Sequence, residues 1–131
     1  MLGNLEISAS GLEAHRLWMN TIAENIANAN TIERDGANDP YRRREPIFSV
    51  KASGNARAVE VKTIVEDPSP FRLEHDPNHP LANPDGKVAY PNVQVIQEMV
   101  DMMMANRSYE ANVTAMEVTK SMFSSALRIL A

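Results

Sequence analysis

Apolar side chains recur at helical spacing near the start of the chain. Four of them stand seven residues apart: Leu5, Leu12, Met19 and Ile26. A seven-residue repeat keeps apolar groups on one side of a helix. The segment 28–40 contains turn-forming residues, among them Asn28, Asn30, Thr31, Asp35 and Gly36, and it ends in Pro40, which cannot continue a helix. The pattern predicts one amphipathic helix within residues 1–31.

The other end of the chain carries a longer repeat of the same kind. Every seventh position from 95 onward is apolar: Val95, Met102, Tyr109, Met116, Phe123 and Leu130. Companion positions complete a coiled-coil-like seam: Met99, Val113 and Leu127. Asn106 and Lys120 interrupt this seam. Because no proline or glycine follows Pro91, one long helix is predicted over residues 93–131.

Between the two helical patterns the period changes to two. Residues 56–67 alternate in polarity along most of their length, which predicts a half-buried strand. The segments 46–52 and 70–75 are shorter strand candidates, and a turn at 52–55 would join the first of them to the long strand. We expect these three strands to form one small antiparallel unit.

The predicted fold is mainly α with a small β insertion. Residues 76–92 are rich in proline, so we expect an ordered but irregular loop there, with a tight turn at Asp85 and Gly86. The long N- and C-terminal helices should fold back as an antiparallel, coiled-coil-like pair around a β-rich, irregular middle segment. The predicted chain has three segments: an N-terminal helix in 1–31, an insertion in 32–92 and a C-terminal helix in 93–131. The two helices together form one helical domain.

Composition argues against several classes of function. The 131 residues suffice for one domain, and the net charge of −4 disfavours a nucleic-acid binder. The absence of cysteine excludes thiol catalysis, disulfides and cysteine-ligated zinc. The N-terminus lacks the regions of an ordinary secretion signal, and no apolar run is long enough to span a membrane, so no direct membrane insertion is expected.

The segment 75–80 is the strongest candidate for a metal site, because His75, Asp76 and His79 lie close in sequence. Pro77 and Pro80 preclude the helix that would align the two histidines, which favours an exposed loop instead. No catalytic motif or phosphate-binding glycine loop is present. We therefore predict no catalytic, cofactor or metal site and do not expect an enzyme.

The basic run YRRRE at 41–45 has two interpretations. It could contact phosphate or an acidic partner. Acidic residues surround it in sequence, at Glu33, Asp35, Asp39 and Glu45, and this favours a solvated strand edge held by local ion pairs.

The methionine-rich stretch at 99–104 also has two interpretations. Met102, Met103 and Met104 point about 100° apart around a helix, so they cannot all face one partner. Either Met102 is core and the other two are partly exposed, or the helix is surrounded by other helices to which flexible thioethers adapt. Asn106 favours the second interpretation, because a buried amide selects register and partner. A pair of helices alone would leave part of each apolar stripe exposed to solvent. Neighbouring molecules are the obvious source of the missing packing contacts.

Two long blocks of the sequence resemble a known family. SASGLEAHRLWMNTIAENIANANT, 8–31, resembles the N-terminal signature shared by the axial proteins of the bacterial flagellum. DGKVAYPNVQVIQEMVDMMMANRSYEANVTAMEVTKSMFSSAL, 85–127, is similar to the C-terminal block of proximal rod subunits. With PYRRR at 40–44 and DPNHPLA at 76–82, the resemblance covers nearly the whole chain. Lys87 departs from it, because the family more usually carries an aromatic residue there, and the linker at 32–40 varies.

The resemblance implies a structural subunit of the flagellar basal-body rod. Such a subunit would polymerise with copies of itself and with other rod proteins, namely proximal and distal rod subunits and the rod-base adaptor, into a drive-shaft through the periplasm. It would be exported by the flagellar type III apparatus without cleavage. The seam residues of both helices would then form the subunit interface. The resemblance adds polar members with a role in fixing register: Asn25, Asn28, Asn30, Arg107, Tyr109, Glu110 and Asn112.

Three alternatives stay open on the sequence alone. The nearest is another rod component, such as a B-type subunit. The second is a soluble regulatory or chaperone-like helical protein that binds one helix in a groove and forms a small defined oligomer. A metal-dependent enzyme is the third, and metal analysis of the purified protein would test it.

Overall fold

Two long helices and six strands make up the described part of the chain. The computed structural model describes residues 2–53 and 56–131. Helix α1 spans Leu2–Ala27 and helix α2 spans Val95–Leu130. The strands between them are short except for two: β1 Glu33–Arg34, β2 Ala37–Asn38, β3 Arg44–Ser53, β4 Ala56–Glu66, β5 Arg72–His75 and β6 Lys87–Tyr90. The predicted class, mainly α with a β insertion, is confirmed.

Helix α1 ends where the sequence supplies a polar cap. The side-chain amide of Asn28 donates to the carbonyl oxygen of Glu24 (2.9 Å), and its own oxygen accepts from the Thr31 hydroxyl (3.2 Å). The Glu24 carbonyl oxygen also accepts from the Asn28 N–H (3.0 Å), so backbone and side chain of Asn28 both bond to the last turn of the helix. The turn-forming residues after Ala27 thus stop the helix as predicted.

The two helices run antiparallel. Near the start of α1, Gly11 lies against the side chain of Asn112, and near its end Asn25 bonds to Glu98. These contacts are 14 residues apart on each helix, from 11 to 25 and from 112 back to 98. A Cβ added to Gly11 would lie 2.9 Å from Asn112 Nδ2, so the missing side chain allows the close approach. The predicted helix pair is therefore confirmed.

The strands form three separate antiparallel pairs, β1 with β2, β3 with β4, and β5 with β6. The expectation of one three-stranded unit is wrong: residues 72–75 pair with 87–90, inside the region predicted to be an irregular loop. In the long hairpin, Thr63 faces Ile47 and Val61 faces Phe48, so Lys62 is left over as a bulge. The predicted turn at 52–55 falls partly on positions 54 and 55, which lie outside the described residues.

A glycine turn produces the missed strand β6. Gly86 has a φ of 72°, which residues with side chains rarely adopt, and its N–H donates to the Asn83 carbonyl (2.9 Å). The Lys87 N–H donates to Asn83 Oδ1 (2.8 Å). The predicted turn before Lys87 is present, and it sends the chain back along β5. Proline is compatible with this ladder because Pro91 follows the last paired residue.

The β3–β4 hairpin lies along α1. At one point the Val59 N–H donates to Ser10 Oγ (3.1 Å), and at another the Phe48 ring meets Trp18 edge to face at 6.0 Å between centroids. A small core joins the end of α1 to the start of α2 through Ala29, Tyr41 and Val93. No helix within the described residues is both long and apolar enough to cross a membrane.

Candidate subunit interface

Small and polar side chains meet where the two helices of the chain contact each other. On α2 the buried positions are seven apart: Glu98 and Ala105 are fully buried, and Asn112, half-buried, follows at the same spacing. Gly11 and Asn25 face this line from α1. The missing side chain of Gly11 lets the helices approach closely beside Asn112, and Asn25 and Glu98 place polar groups at the other end of this contact.

The predicted apolar seam lies beside this contact. On α1 its members are half-buried: Leu5, Leu12, Met19 and Ile26. The same holds for part of the α2 stripe: Val95, Met102, Tyr109, Val113 and Met116. The most buried positions on this side of α2 therefore stand at 98, 105 and 112, one residue before the predicted companions Met99 and Val113 and the interrupting Asn106.

Several predicted members of the stripe are exposed in the single chain. Met99 is 54% exposed and Leu130 is 84% exposed. Phe123, Leu127 and Asn106 are exposed as well. Phe123, Leu127 and Leu130 form a group near the end of α2, and grouped exposed apolar side chains are typical of a surface that meets another protein.

The end of α2 extends past α1. Continuing the pairing of Gly11 with Asn112 sets Leu2, the first described residue of α1, opposite position 121. The turns of α2 beyond that point carry exposed apolar side chains: Met122, Phe123, Leu127, Ile129 and Leu130. We call residues 122–130 the α2 extension.

The polar residues singled out by the resemblance divide into two groups. Asn25, Asn28 and Asn112 make contacts inside the chain, and Tyr109 is half-buried. Three others are exposed: Asn30, Arg107 and Glu110. The exposed group is available to a neighbouring molecule.

Behind the stripes, a buried polar cluster joins α1, α2 and the start of the hairpin. At its centre, Asn25 Nδ2 donates to the Arg44 carbonyl (2.9 Å) and to Glu98 Oε2 (3.1 Å). Its Oδ1 accepts from the Tyr41 hydroxyl (2.9 Å) and from the Arg44 N–H (2.9 Å). Both donor hydrogens and both acceptor sites of the amide are thus used. We call Asn25, Tyr41, Arg43 and Glu98 the clasp.

Arg43 supplies the positive charge of the clasp. Its guanidinium bonds to Glu98 Oε1 and to Glu45, and it lies 3.5 Å from Asp67 and 3.7 Å from Asp101. The Glu98 side chain is 1% exposed, and a carboxylate buried to that degree requires a bonded counter-charge. The prediction of a solvated strand edge held by local ion pairs is therefore wrong for Arg43, which is 17% exposed and pairs with two carboxylates of α2.

Two ionisable groups near the clasp have shifted pKa values. Burial raises the pKa of Tyr41 above its usual range, so its hydroxyl remains a donor to Asn25. The pKa of Asp67 is lowered, first by the Ser69 hydroxyl (2.5 Å), then by the Ser69 N–H (2.8 Å), with Arg43 adding to the effect. Asp67 is held as a carboxylate beside the arginine.

Of the candidate metal segment, His75 ends strand β5 and residues 76–80 form a loop with its own hydrogen bonds. His79 Nδ1 accepts from the Leu81 N–H (3.1 Å), and Asp76 Oδ1 accepts from the Asn78 N–H (3.3 Å). Across residues 2–53 and 56–131 no group of three or more histidine, aspartate or glutamate side chains is arranged to hold a metal ion.

Comparison with known families matches both helices. A family model described as "Flagella basal body rod protein" matches residues 5–32, which include most of α1. A second, described as "Flagellar basal body rod FlgEFG protein C-terminal", matches residues 85–129, which cover β6 and nearly all of α2. Both of the helices that carry the stripes thus lie in recognised rod-protein segments.

Similarity to curated proteins extends over the whole chain. The flagellar basal-body rod protein FlgC of Bacillus subtilis is 43% identical, with 96% of this chain and 95% of the relative aligned. FlgC of Borreliella burgdorferi is 38% identical over 99% and 97% of the two chains, and FlgC of Escherichia coli O6:H1 is 38% identical over 98% and 97%. The chain belongs to the FlgC family. It is a structural subunit of the flagellar basal-body rod, and the resemblance found in the sequence is confirmed.

Proposed function

We propose that this FlgC-family chain assembles through its two terminal helices into the proximal part of the rod and there transmits torque. The observation that carries the proposal is the exposed part of the α2 stripe, namely Met99 at 54% exposure together with Phe123, Leu127 and Leu130, whereas the other apolar stripe positions of α2 are half-buried. Apolar surface of this kind gains free energy when a second molecule removes it from water. The proposed partners are copies of the chain, other proximal and distal rod subunits and the rod-base adaptor.

A shaft needs subunits that repeat without closing on themselves. Contacts between two different surfaces of one chain generate an open helical assembly when the rotation does not close a ring. The chain offers such unlike surfaces, because the side of α2 near Met99 and the α2 extension differ in sequence and lie at opposite ends of the helix. The proposed role is mechanical rather than catalytic.

The clasp gives the subunit stiffness in this proposal. It fixes the β3–β4 hairpin to both helices through Asn25, Arg43 and Glu98. A load applied to the insertion, residues 32–92, would then pass to the helical domain, residues 1–31 and 93–131, without bending at the junction. Export through the flagellar type III apparatus and a position in the periplasmic part of the basal body complete the proposal.

Two methionines on α2 allow a matched test of the stripe. Met99 and Met103 are exposed to a similar extent, 54% and 59%, but only Met99 lies on the predicted seam. In flagellated cells that carry this chain in place of their own FlgC, Met99→Asp should abolish its recovery in purified basal bodies, because an unpaired charge would be buried in the interface. Met103→Asp should be tolerated. Equal recovery of the two variants, with normal export, would show that the stripe is not the interface.

A further inference from the structure

A groove lies beside the first turns of α2. Its volume is about 1040 Å³, and its walls come from the residues just after α1, the segment 67–70 and the chain that leads into α2. Val95 is half-buried on the groove wall, and Ile96 beside it is 81% exposed. The groove therefore presents apolar surface to solvent.

The same groove carries an excess of negative charge. Four carboxylates surround the single guanidinium of Arg43: Glu45, Asp67, Glu98 and Asp101. Arg72 also lines the groove, but it pairs with Glu74 (3.2 Å) and lies over the Tyr90 ring. A groove that is apolar on one wall and acidic around Arg43 fits a helix with an apolar side and basic residues.

The far end of α2 has that chemistry. The α2 extension contains Arg128 and no aspartate or glutamate, and Lys120 lies two residues before it. The exposed apolar side chains of the α2 extension stand beside Arg128, with Ile129 and Leu130 both 84% exposed. The basic, apolar end of the helix thus complements the acidic, apolar groove at its start.

We propose that the α2 extension of one copy of this chain occupies the groove beside the start of α2 in a second copy. The inference rests on the proposed function and names the segment that makes one of its contacts. Because groove and extension lie at opposite ends of α2, the contact joins copies head to tail and leaves a free groove at one end of the array and a free extension at the other. With 36 residues in α2, successive copies would be spaced by roughly 54 Å along the helix direction.

Cysteine crosslinking tests the contact directly, since the chain contains no cysteine of its own. Ile96→Cys and Leu130→Cys would be expressed together in place of the host FlgC, and isolated basal bodies would be oxidised. A disulfide-linked dimer is expected when both variants are present and not with either alone. Ala115→Cys, at an exposed position in the middle of α2, replaces Leu130→Cys as the control and should give no dimer with Ile96→Cys.

A charge exchange adds a second readout. Arg128→Glu should lower the yield of the Ile96–Leu130 dimer by about tenfold, because it places like charge in the acidic groove. Adding Glu45→Arg in the chain that supplies the groove should restore the yield; the Glu45 side chain is 46% exposed and can be exchanged while Arg43 keeps its other carboxylates.

The outcomes separate the two proposals. Recovery of the chain in basal bodies without the Ile96–Leu130 dimer would overturn the head-to-tail contact alone. So would a dimer that forms equally well with Ala115→Cys, or one that Arg128→Glu leaves unchanged. Absence of the unsubstituted chain from basal bodies would overturn the proposed function, and the head-to-tail contact with it.

Discussion

Asn25 of α1 and Glu98 of α2 are joined by a hydrogen bond of 3.1 Å across 73 residues of sequence. Asn25 is 1% exposed and Glu98 is fully buried. A buried amide and a buried carboxylate are tolerated there because Tyr41, Arg43 and the backbone of Arg44 satisfy the polar atoms of both. The bond locks the register of the helix pair at the end where the hairpin begins, and this register sets which apolar side chains remain uncovered.

Removing the amide should destabilise the chain. In Asn25→Ala the Tyr41 hydroxyl, the Arg44 peptide groups and one Glu98 oxygen lose their shared partner, so we expect the free energy of unfolding to fall by about 3 kcal/mol. Urea unfolding followed by circular dichroism measures the change. Asn30→Ala, at an exposed position, is the control and should shift stability by less than about 0.5 kcal/mol. Similar midpoints for the two variants would mean that the clasp contributes little.

Gly11 gives a prediction about the close approach of the helices. Alanine favours a helix over glycine by about 1 kcal/mol, but its Cβ would displace the Asn112 side chain, whose Nδ2 lies 2.9 Å away. The two effects should nearly cancel in Gly11→Ala. When Asn112→Ala has already removed the obstacle, the same substitution should stabilise the chain by about 1 kcal/mol. The two values come from a double-mutant cycle in urea, and an identical effect in both backgrounds would argue against the contact.

The lowered pKa of Asp67 predicts part of the loss of folding stability in acid. Its pKa is lowered in the folded chain, chiefly by the Ser69 hydroxyl and then by the Ser69 N–H. The carboxylate therefore contributes stability above the unfolded pKa of about 3.9, and that contribution is lost as the pH falls through the lower, folded value. Unfolding free energies measured from pH 6 downward should fall less steeply for Asp67→Asn than for the unsubstituted chain. Parallel curves would contradict the assignment.

The helices should be unequally stable along their length in the isolated chain. Without neighbours, an exposed apolar stripe cannot offset the entropy of ordering the helix ends. Amide hydrogen exchange of the dilute monomer should show protection near Asn25 and Glu98, where the clasp holds the pair. It should show rapid exchange in the first turns of α1 and in the α2 extension. Strong protection of both terminal segments would refute this.

The helices were predictable from sequence because their signals are local and repeated. The seven-residue spacing from Leu5 to Ile26 and from Val95 to Leu130 fixed both elements, and Gly86 signalled the turn before β6. The β5–β6 pairing was missed because strands of four residues carry little periodic signal and prolines surround them. The expectation of one three-stranded unit was wrong for the same reason.

No comparable pattern in the sequence predicted the clasp. Nothing in the local pattern distinguishes Glu98 from the exposed Glu117 on the same helix, because burial depends on a residue 73 positions away. Arg43 stood among acidic neighbours that suggested local pairing, while its partners on α2 became visible only in the folded chain. The predicted companion positions fell one residue after the buried side of α2, because the prediction followed large apolar side chains and Glu98, Ala105 and Asn112 are polar or small.

A side-chain-resolution cryo-electron microscopy map of the assembled rod tests the central claim most directly. The account predicts that Met99, Phe123 and Leu127 lie in van der Waals contact with neighbouring subunits, while Asn25 and Glu98 keep their bond within each copy. A map in which these three apolar side chains face solvent, or are covered by their own chain, would contradict it.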